Sequence, residues 1–391
     1  MKNVYLKRHK EESLLRFHPW IFSGALHHTD TGISDGETVR VLTAEGDYIA
    51  TGHYQGGSIA VRVLSFDDVE IDDAFWYGRL LSALHMRIST GIADRSNNNT
   101  FRLVHGEGDF LPGLIIDIYG QTAVMQAHSI GMHLVRTQIA DQLVKVMSNR
   151  ITSVYYKSET TLPFMQPKNG FLCGKSVDDT AYENGLCFHV DWLHGQKTGF
   201  FVDQRDNRSL VECYSNKRRV LNMFCYTGGF SVYAMRGGAQ LVHSVDSSEN
   251  AIELTRRNVA LNFPGDTRHQ AFCDDAFHFL DSMDKRESYD LVILDPPAFA
   301  KHRAALHNAV KGYIRLNQKA LEKMPSGSLL FTFSCSQVVT KEHFRNAVFT
   351  AAALAHRRVR ILHQLHQPTD HPINIYHPEG EYLKGLVLYV E

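Results

Sequence analysis

The sequence predicts a multidomain α/β protein: a small N-terminal β-barrel, a middle α+β unit, and a C-terminal parallel sheet covered by helices. Residues 37–66 alternate apolar and polar positions and are broken by glycine turns, which is typical of short barrel strands. From Ala74 the apolar residues recur at helical spacing. After residue 218, apolar runs alternate with helix-like segments, the pattern of a parallel sheet with helices on both faces.

Length and composition indicate an ordinary globular chain. At about 150 residues per domain, 391 residues correspond to two or three domains. Lys plus Arg is 41 and Asp plus Glu is 42, so the net charge is −1. A value near zero does not exclude local basic patches on the surface. The hydrophobic fraction of 43% and the charged fraction of 21% exclude a disordered or fibrous chain.

Several classes of protein are also disfavoured. No window approaches about 18 consecutive apolar residues, so we expect no membrane-spanning helix. The opening segment lacks the apolar core of a secretory signal. The six cysteines are too widely spaced for CxxC pairs, which predicts reduced thiols in a cytoplasmic protein. The 22 histidines are scattered without metal-ligand spacing, so no metal is expected.

Three domains are predicted, over residues 1–72, 73–183 and 184–391. In the middle domain, apolar periodicity predicts a helix through Ile88 and a second helix over Met132–Met147. Strands are predicted around them, within residues 101–120, 122–129 and 151–159. In the last domain, apolar strands are predicted at 219–225, 240–246, 290–295 and 328–335.

Most of the residues with a candidate role in binding or catalysis lie at the ends of these last strands. Tyr226-Thr227-Gly228-Gly229 lies between a strand and a helix, where glycines let a ligand approach free N–H groups; a plain turn without ligand is the alternative. Asp246 ends the second strand, where an acid accepts hydrogen bonds from ribose hydroxyls. Asp275 lies where a third strand should end and could accept from the amine of adenine.

A fourth strand ends in Asp295-Pro296-Pro297. The prolines remove backbone donors and stiffen the turn beside the carboxylate. Dehydrogenases have no use for such a turn, and the chain lacks their GxGxxG motif. Enzymes that methylate planar nitrogen atoms or base rings do use it, because it holds acceptor groups beside the ring. The alternative is a solvated loop without a role in binding or catalysis.

Cys335 ends the fifth strand, at the edge predicted to carry Asp295. A lone cysteine at a strand end is often only buried filler. However, methylation at carbon 5 of cytosine requires a thiolate that adds to carbon 6 and a carboxylic acid that shares a proton with the ring nitrogen. Cys335 and Asp295 are the residue types that this reaction needs.

Seven longer motifs, distributed along the whole chain, are similar to those of a known family. They are RFHPWIFSGAL (16–26), VHGEGDFLPGLIIDIYG (104–120), QKTGFFVDQRDNR (196–208), LNMFCYTGGFSVYA (221–234), LDPPAF (294–299), FSCS (333–336) and GEYLKGL (380–386). With these motifs the chain resembles the ribosomal RNA large subunit methyltransferase I family. The resemblance implies an N-terminal PUA barrel, a middle α/β domain and a Rossmann-like class I methyltransferase domain. The implied activity is S-adenosylmethionine-dependent formation of 5-methylcytosine in 23S rRNA.

The resemblance also implies roles for individual residues. Asp246 would hold the ribose, Asp275 the adenine, and Asp295 and Cys335 would face the base. The methionine side of the cofactor would be lined by Phe224, Tyr226, Thr227 and Gly228, with Asp295 and Pro296 bordering it. The segment closing over the cofactor would be Phe200, Asp203, Gln204 and Arg205. For Gln204 and Arg205, a helix cap or salt bridge is the alternative.

One position departs from the family pattern: the residue after Asp-Pro-Pro is usually lysine, and here it is Ala298. One candidate contact to phosphate or base is therefore missing. RNA contacts are predicted at Lys7, Arg8, Lys10 and Arg16, although such a run is often only a solvated face. The expected partner is 23S rRNA or a large-subunit assembly intermediate, without membrane or metal, and a homodimer is left open.

Two other functions compete. A methyltransferase acting on a nitrogen of guanine or adenine would need no thiol, so Cys335 argues against it. A non-catalytic RNA-binding factor of ribosome assembly would predict erosion of the glycine turn or of Asp295-Pro296-Pro297, and both are intact.

Overall fold

The computed structural model describes residues 1–148, 150–175, 179–283, 288–300 and 302–391. Within them the chain divides into two compact units. The first comprises Met1–Gly185, Val190–Val202 and Thr369–Gly380, and the second comprises Leu186–His189, Asp203–Pro368 and Glu381–Glu391. The first unit contains the predicted barrel together with the predicted middle domain, so the boundary at residue 72 stays a prediction.

The N-terminal part of the first unit is a β-sheet with the strand order β2-β6-β5-β4-β1-β3. Its pairs are antiparallel except for β1 with β4, which is parallel. Val39 and Val41 are buried and alternate with half-exposed residues, as the period of two predicted. The elements are β1 (Lys2–Leu6), α1 (Glu12–Leu15), β2 (Trp20–Phe22), β3 (Leu26–Thr29), β4 (Thr38–Leu42), β5 (Tyr48–Tyr54) and β6 (Ile59–Ser65).

A second sheet in this unit has the order β11-β10-β9-β8-β7. Trp76, Leu80 and Leu84 lie on one face of α2 and are buried against it. The predicted helix over Met132–Met147 is wrong as one element, because the helical path is interrupted at Val135. The elements are α2 (Asp73–Ser89), β7 (Thr100–His105), β8 (Leu114–Tyr119), β9 (Thr122–Ala127), α3 (Ile130–Leu134), α4 (Arg136–Met147), β10 (Ser153–Tyr156), β11 (Gly170–Cys173) and β12 (Thr180–Glu183).

The second unit is built on a sheet with the order β16-β15-β14-β17-β18-β20-β19. The strands up to β18 are parallel, and β20 runs antiparallel between β18 and β19. The elements are β13 (Leu186–His189), α5 (Arg205–Tyr214), β14 (Arg219–Met223), α6 (Gly229–Arg236), β15 (Leu241–Asp246), α7 (Glu249–Asn262), β16 (His269–Cys273), α8 (Ala276–Ser282), β17 (Leu291–Leu294), α9 (Leu306–Lys323), β18 (Ser328–Ser334), α10 (Lys341–Leu354), β19 (Val359–Leu365) and β20 (Lys384–Val390).

This sheet confirms the predicted fold class and places the candidate residues. The strand order reverses at β14, which lies between β15 and β17, and in such sheets ligands bind outside the carboxyl ends of the strands at the reversal. The strands predicted from apolar runs are β14, β15, β17 and β18, and β16 lies where a third strand was expected. Searching the described residues for an apolar helix of membrane-spanning length finds none.

Candidate functional site

The turn after β14 has an unusual backbone. Phe224, Tyr226 and Gly228 have φ angles of 58°, 48° and 78°. Positive φ is costly for residues with a side chain and tends to be kept at ligand sites. A Cβ on Gly228 would lie 2.7 Å from the Cγ2 of Thr255, so this position requires glycine for both conformation and space.

Side chains of α7 hold the carbonyls of this turn. The Oγ1 of Thr255 donates to the Tyr226 carbonyl at 2.9 Å, and the Nδ2 of Asn258 donates to the Thr227 carbonyl at 2.8 Å. The next helix, α6, begins after Gly228 without a hydrogen bond from a capping side chain. Its first N–H groups are therefore suited to an anionic or carbonyl oxygen of a ligand.

Two predicted acids lie at neighbouring strand ends. Asp246 accepts from the Tyr226 N–H at 2.9 Å and the Ser248 N–H at 3.0 Å, one on each oxygen. A carboxylate has about four lone-pair sites, so this fixed group can still accept from hydroxyls. Asp275 caps α8 through Oδ1, which accepts from Phe277 and His278. Its Oδ2 accepts from no residue that the structure describes.

Asp203 and Gln204 contact two different parts of the second unit. The Tyr382 hydroxyl donates to Asp203 at 2.7 Å, and the Nε2 of Gln204 donates to the Oδ2 of Asp295 at 3.1 Å. Gln204 in turn accepts from Asn207 at 2.6 Å. Gln204 is the N-cap residue of α5, but its side chain makes no capping hydrogen bond and contacts Asp295 instead.

The other two members of the predicted closing segment are buried. Arg205 is 1% exposed at the start of α5. Phe200 belongs to the first unit, where its carbonyl accepts from the Tyr119 hydroxyl at 3.1 Å. Its predicted place at the cofactor stays a prediction.

The loops after β17 and β18 meet at the edge of the sheet. The Ser336 hydroxyl donates to the Ala300 carbonyl at 2.7 Å, which joins the loop containing Cys335 to the loop that begins at Asp295. Tyr313 of α9 is fully buried below them. Burial raises the pKa of Tyr313 to about 12, and the nearby charges of Cys335 and Asp295 act in the same direction. Cys335 and Asp295 therefore both lie near enough to Tyr313 for their charges to act on it.

Lys384 is a residue of this site to which the sequence analysis gave no role. It opens β20 opposite Ser334, is 6% exposed, and donates through Nζ to the carbonyls of Ser336 and Val339, both at 2.5 Å. Burial lowers its pKa to about 8, and the negative charges of Cys335 and Glu381 oppose that shift. At neutral pH it remains mostly protonated beside the thiol. Its motif, GEYLKGL, was the available signal.

The basic cluster predicted to contact RNA is partly neutralised. Arg8 pairs with Glu45 at 3.2 Å and Arg16 pairs with Glu12, and all four side chains are exposed. Exposed ion pairs of this kind contribute little to stability, so an anionic ligand could displace the two glutamates at a small cost in free energy. The remaining members are exposed as well: Lys7, whose Nζ donates to the Gly24 carbonyl, and Lys10.

Comparisons with known proteins identify the family. Residues 168–372 match the family model described as S-adenosylmethionine-dependent methyltransferase, and residues 4–66 match that of a PUA-like domain. The chain is 38% identical to the ribosomal RNA large subunit methyltransferase I of Aeromonas hydrophila subsp. hydrophila, over 99% of this chain and 98% of the relative. It is 37% identical to the protein of the same name from Escherichia coli, over 99% of each. The chain belongs to the ribosomal RNA large subunit methyltransferase I family.

Family membership makes the protein an S-adenosylmethionine-dependent methyltransferase, and the fold agrees. The solved structure of SMU.776 complexed with SAH has a TM-score of 0.86 at 22% identity, and the match covers 99% of this chain and 100% of that one. The residues present fit the cofactor: an open α6 N-terminus stands beside a fixed acid at the end of β15, and Asp275 has a free oxygen at the end of β16.

Proposed function

We propose that this methyltransferase modifies carbon 5 of a cytosine in 23S rRNA through a covalent adduct with Cys335. The observation that carries the proposal is the hydrogen bond between the loops after β17 and β18, which supports a thiol and a carboxylate facing one base. Lys384 supplies a positive charge at the same loop, which favours the thiolate.

The proposed reaction begins at the thiolate of Cys335. Its Sγ forms a bond to carbon 6 of the ring, while the acid form of Asp295 hydrogen-bonds to ring nitrogen 3 and shares its proton as negative charge develops there. S-adenosylmethionine supplies the methyl group that carbon 5 takes. A base then removes the hydrogen from carbon 5, the bond between Sγ and carbon 6 breaks, and the thiolate returns.

Other residues of the second unit would position these groups. Gln204 would hold Asp295 through the contact at 3.1 Å. The cofactor would lie against Phe224, Tyr226, Thr227 and Gly228 on its methionine side, with Pro296 beside it. Asp246 would accept from the ribose and Asp275 from the adenine amine, while Asp203 and Arg205 would close the site.

The RNA substrate is proposed from the names of the curated relatives and from the PUA-like segment. Exposed Lys7 and Lys10 would contact phosphates, together with Arg8 and Arg16 once their glutamate partners are displaced. Such a substrate agrees with the predicted cytoplasmic location.

The experiment is a covalent trap. Protein and cofactor are incubated with 23S rRNA transcribed with 5-fluorocytidine, whose fluorine blocks the elimination that releases the enzyme. We expect a denaturant-resistant protein–RNA adduct, and peptide mapping should find it on Cys335. Cys213→Ala, which removes an exposed thiol on α5, serves as the matched control and should form the same adduct.

A second measurement separates the proposal from nitrogen methylation. Nucleoside mass spectrometry of methylated rRNA should show 5-methylcytosine. Methylguanine or methyladenine, formed equally well by Cys335→Ala, would contradict the proposal, as would full turnover without any trapped adduct on fluorinated RNA. If the wild-type protein methylated no rRNA, the result would instead favour the alternative of a non-catalytic RNA-binding factor.

A further inference from the structure

In the first unit, His18 meets His377 and Glu379, which lie about 360 residues later in the sequence. The donor atoms of His18, His377 and Glu379 all lie within 4.8 Å of one another. The Nε2 atoms of His18 and His377 each lie 3.8 Å from the Oε2 of Glu379. Neither the sheets nor the proposed RNA contacts use this group.

The ring of His18 is anchored at Nδ1. This atom lies 3.2 Å from both the carbonyl oxygen and the backbone nitrogen of Trp20, so it can donate to the first or accept from the second. When Nδ1 carries the proton and donates to that carbonyl, the lone pair is on Nε2, which faces the other two residues. A carbonyl that accepts from the second ring nitrogen is the usual support of a metal-binding histidine.

The ring of His377 is buried without partners. The residue is 3% exposed, and neither Nδ1 nor Nε2 has a hydrogen-bond partner among the described residues. A polar group buried in this way costs free energy unless something binds it.

The surroundings suit a cation. Trp20 packs on His377 with ring centroids 4.3 Å apart, and its Nε1 donates to Glu107 at 2.9 Å. Glu107, bound to the ring that packs on His377, is thus a second carboxylate in these surroundings besides Glu379. The side chain of Glu379 is 51% exposed, so the group is open to solvent on one side.

We propose that His18, His377 and Glu379 form a zinc-binding site. Two imidazole nitrogens and a carboxylate are ligands that Zn²⁺ prefers, and water would complete the tetrahedron. With metal–ligand bonds of about 2.0–2.2 Å, tetrahedral donors lie about 3.4 Å apart. The two 3.8 Å separations need to close by about half an ångström, and the two histidine donors, which lie within 4.8 Å of each other, by at most about 1.4 Å. The ion would join the loop before β2 to the Thr369–Gly380 segment of the same unit.

The test uses the full chain after removal of metals with a chelator. Zn²⁺ is titrated by calorimetry, and Co²⁺ is added in parallel to record the visible bands of a tetrahedral site. We expect tight uptake of one ion, with Co²⁺ bands but no thiolate charge-transfer absorption, which excludes the exposed Cys213 and Cys273 as ligands. His377→Gln should weaken Zn²⁺ binding at least about a hundredfold, and Glu379→Gln about tenfold.

His28→Gln is the matched control, because His27 and His28 form another histidine pair, exposed and with Nδ1 atoms 2.7 Å apart. It should leave the tight binding unchanged. No uptake by the wild type, or equal uptake by His377→Gln and Glu379→Gln, would overturn the site. If circular dichroism shows that His377→Gln does not fold, the Zn²⁺ affinity of Glu379→Gln, a substitution at an exposed residue, provides the test. Methyl transfer plays no part in these measurements, so their outcome is independent of the proposed reaction.

Discussion

The two halves of the candidate active site are built in different ways, although both lie at strand ends of one sheet. The half at β14 and β15 is held by the backbone: three residues with positive φ, carbonyls tied to α7, and an acid fixed by two N–H groups. The half at β17 and β18 is held by side chains from separate segments, among them Gln204, Tyr313 and Lys384.

This difference matches what each half is proposed to do. A cofactor that is the same in every turnover can be bound by a rigid turn, whose N–H groups need no particular side chain. Covalent chemistry on a base needs groups of defined protonation state, and only side chains supply them. Substitutions should therefore separate the two halves: base-facing residues should change turnover and leave cofactor affinity intact, whereas cofactor-facing residues should do the reverse.

The largest effect is expected from Cys335→Ala. Loss of the nucleophile should lower the rate of cytosine methylation by about a thousandfold or more, because no other group in the proposed mechanism can activate carbon 5. Cofactor affinity measured by calorimetry should stay within about twofold of the wild type. Substantial turnover by this variant would remove the covalent step.

Asp295→Asn should come next, with a loss of about a hundredfold in turnover, since an amide cannot share a proton with the ring nitrogen. Gln204→Ala should cost less, about tenfold, because it removes only the group that positions Asp295. Steady-state kinetics with rRNA fragments provide the measurement. If Asp295→Asn changed only the affinity for S-adenosylmethionine, the carboxylate would belong to the cofactor half.

Asp246→Ala tests the other half. Loss of a charged acceptor should weaken S-adenosylmethionine binding by about 1–3 kcal/mol. The turn also loses the group that accepts from Tyr226 and Ser248, so a thermal melt should accompany the calorimetry. Unchanged affinity in a folded variant would take Asp246 out of the cofactor site.

Lys384→Met should have a smaller effect that depends on pH. In the wild type, the pKa of Lys384 is about 8, so below that pH the ammonium favours the thiolate of Cys335. Without that charge the thiol pKa should rise, and the pH profile of alkylation by iodoacetamide should move to higher pH. Lys384→Arg should keep the wild-type profile, as should Lys341→Met, which removes an exposed lysine. An unmoved profile in Lys384→Met would restrict Lys384 to a structural role.

The smallest effect is expected from Lys7→Gln combined with Lys10→Gln. Each lost phosphate contact should reduce the slope of log affinity against log salt by about one and weaken RNA binding a few-fold at moderate salt. Filter binding across a salt series measures both quantities, and calorimetry should show unchanged cofactor affinity. An identical slope would place the RNA elsewhere on the protein.

The same contrast explains what could be predicted from the sequence. Glycine at Gly228 and acids at strand ends are local signals, because the chemistry and the backbone that positions it are adjacent in the chain. The apolar runs likewise predicted the parallel strands β14, β15, β17 and β18. Lys384 and Tyr313 reach the site from distant segments through strand pairing and helix packing. The motif GEYLKGL marked Lys384 but did not indicate which strand it would pair with.

Other elements were predicted wrongly or not at all because the local pattern did not show them. The interruption at Val135 is not visible in the apolar spacing of Met132–Met147, which continues across it. Strands β19 and β20 were not predicted, and β19 has a mostly exposed edge position that weakens its apolar pattern. The cluster of His18, His377 and Glu379 likewise has no spacing signal, since it exists only once the Thr369–Gly380 segment packs into the first unit.

The position of β20 has a kinetic consequence. This strand inserts between β18 and β19, two strands that precede it in the chain, so the sheet is completed by a contact of long sequence separation. Pairings of that kind form slowly, because the closure of a long loop must come first. The cofactor turn contacts β15 and α7, which follow it closely in the sequence, and it can form earlier. During refolding, recovery of S-adenosylmethionine binding should therefore precede recovery of a reactive Cys335.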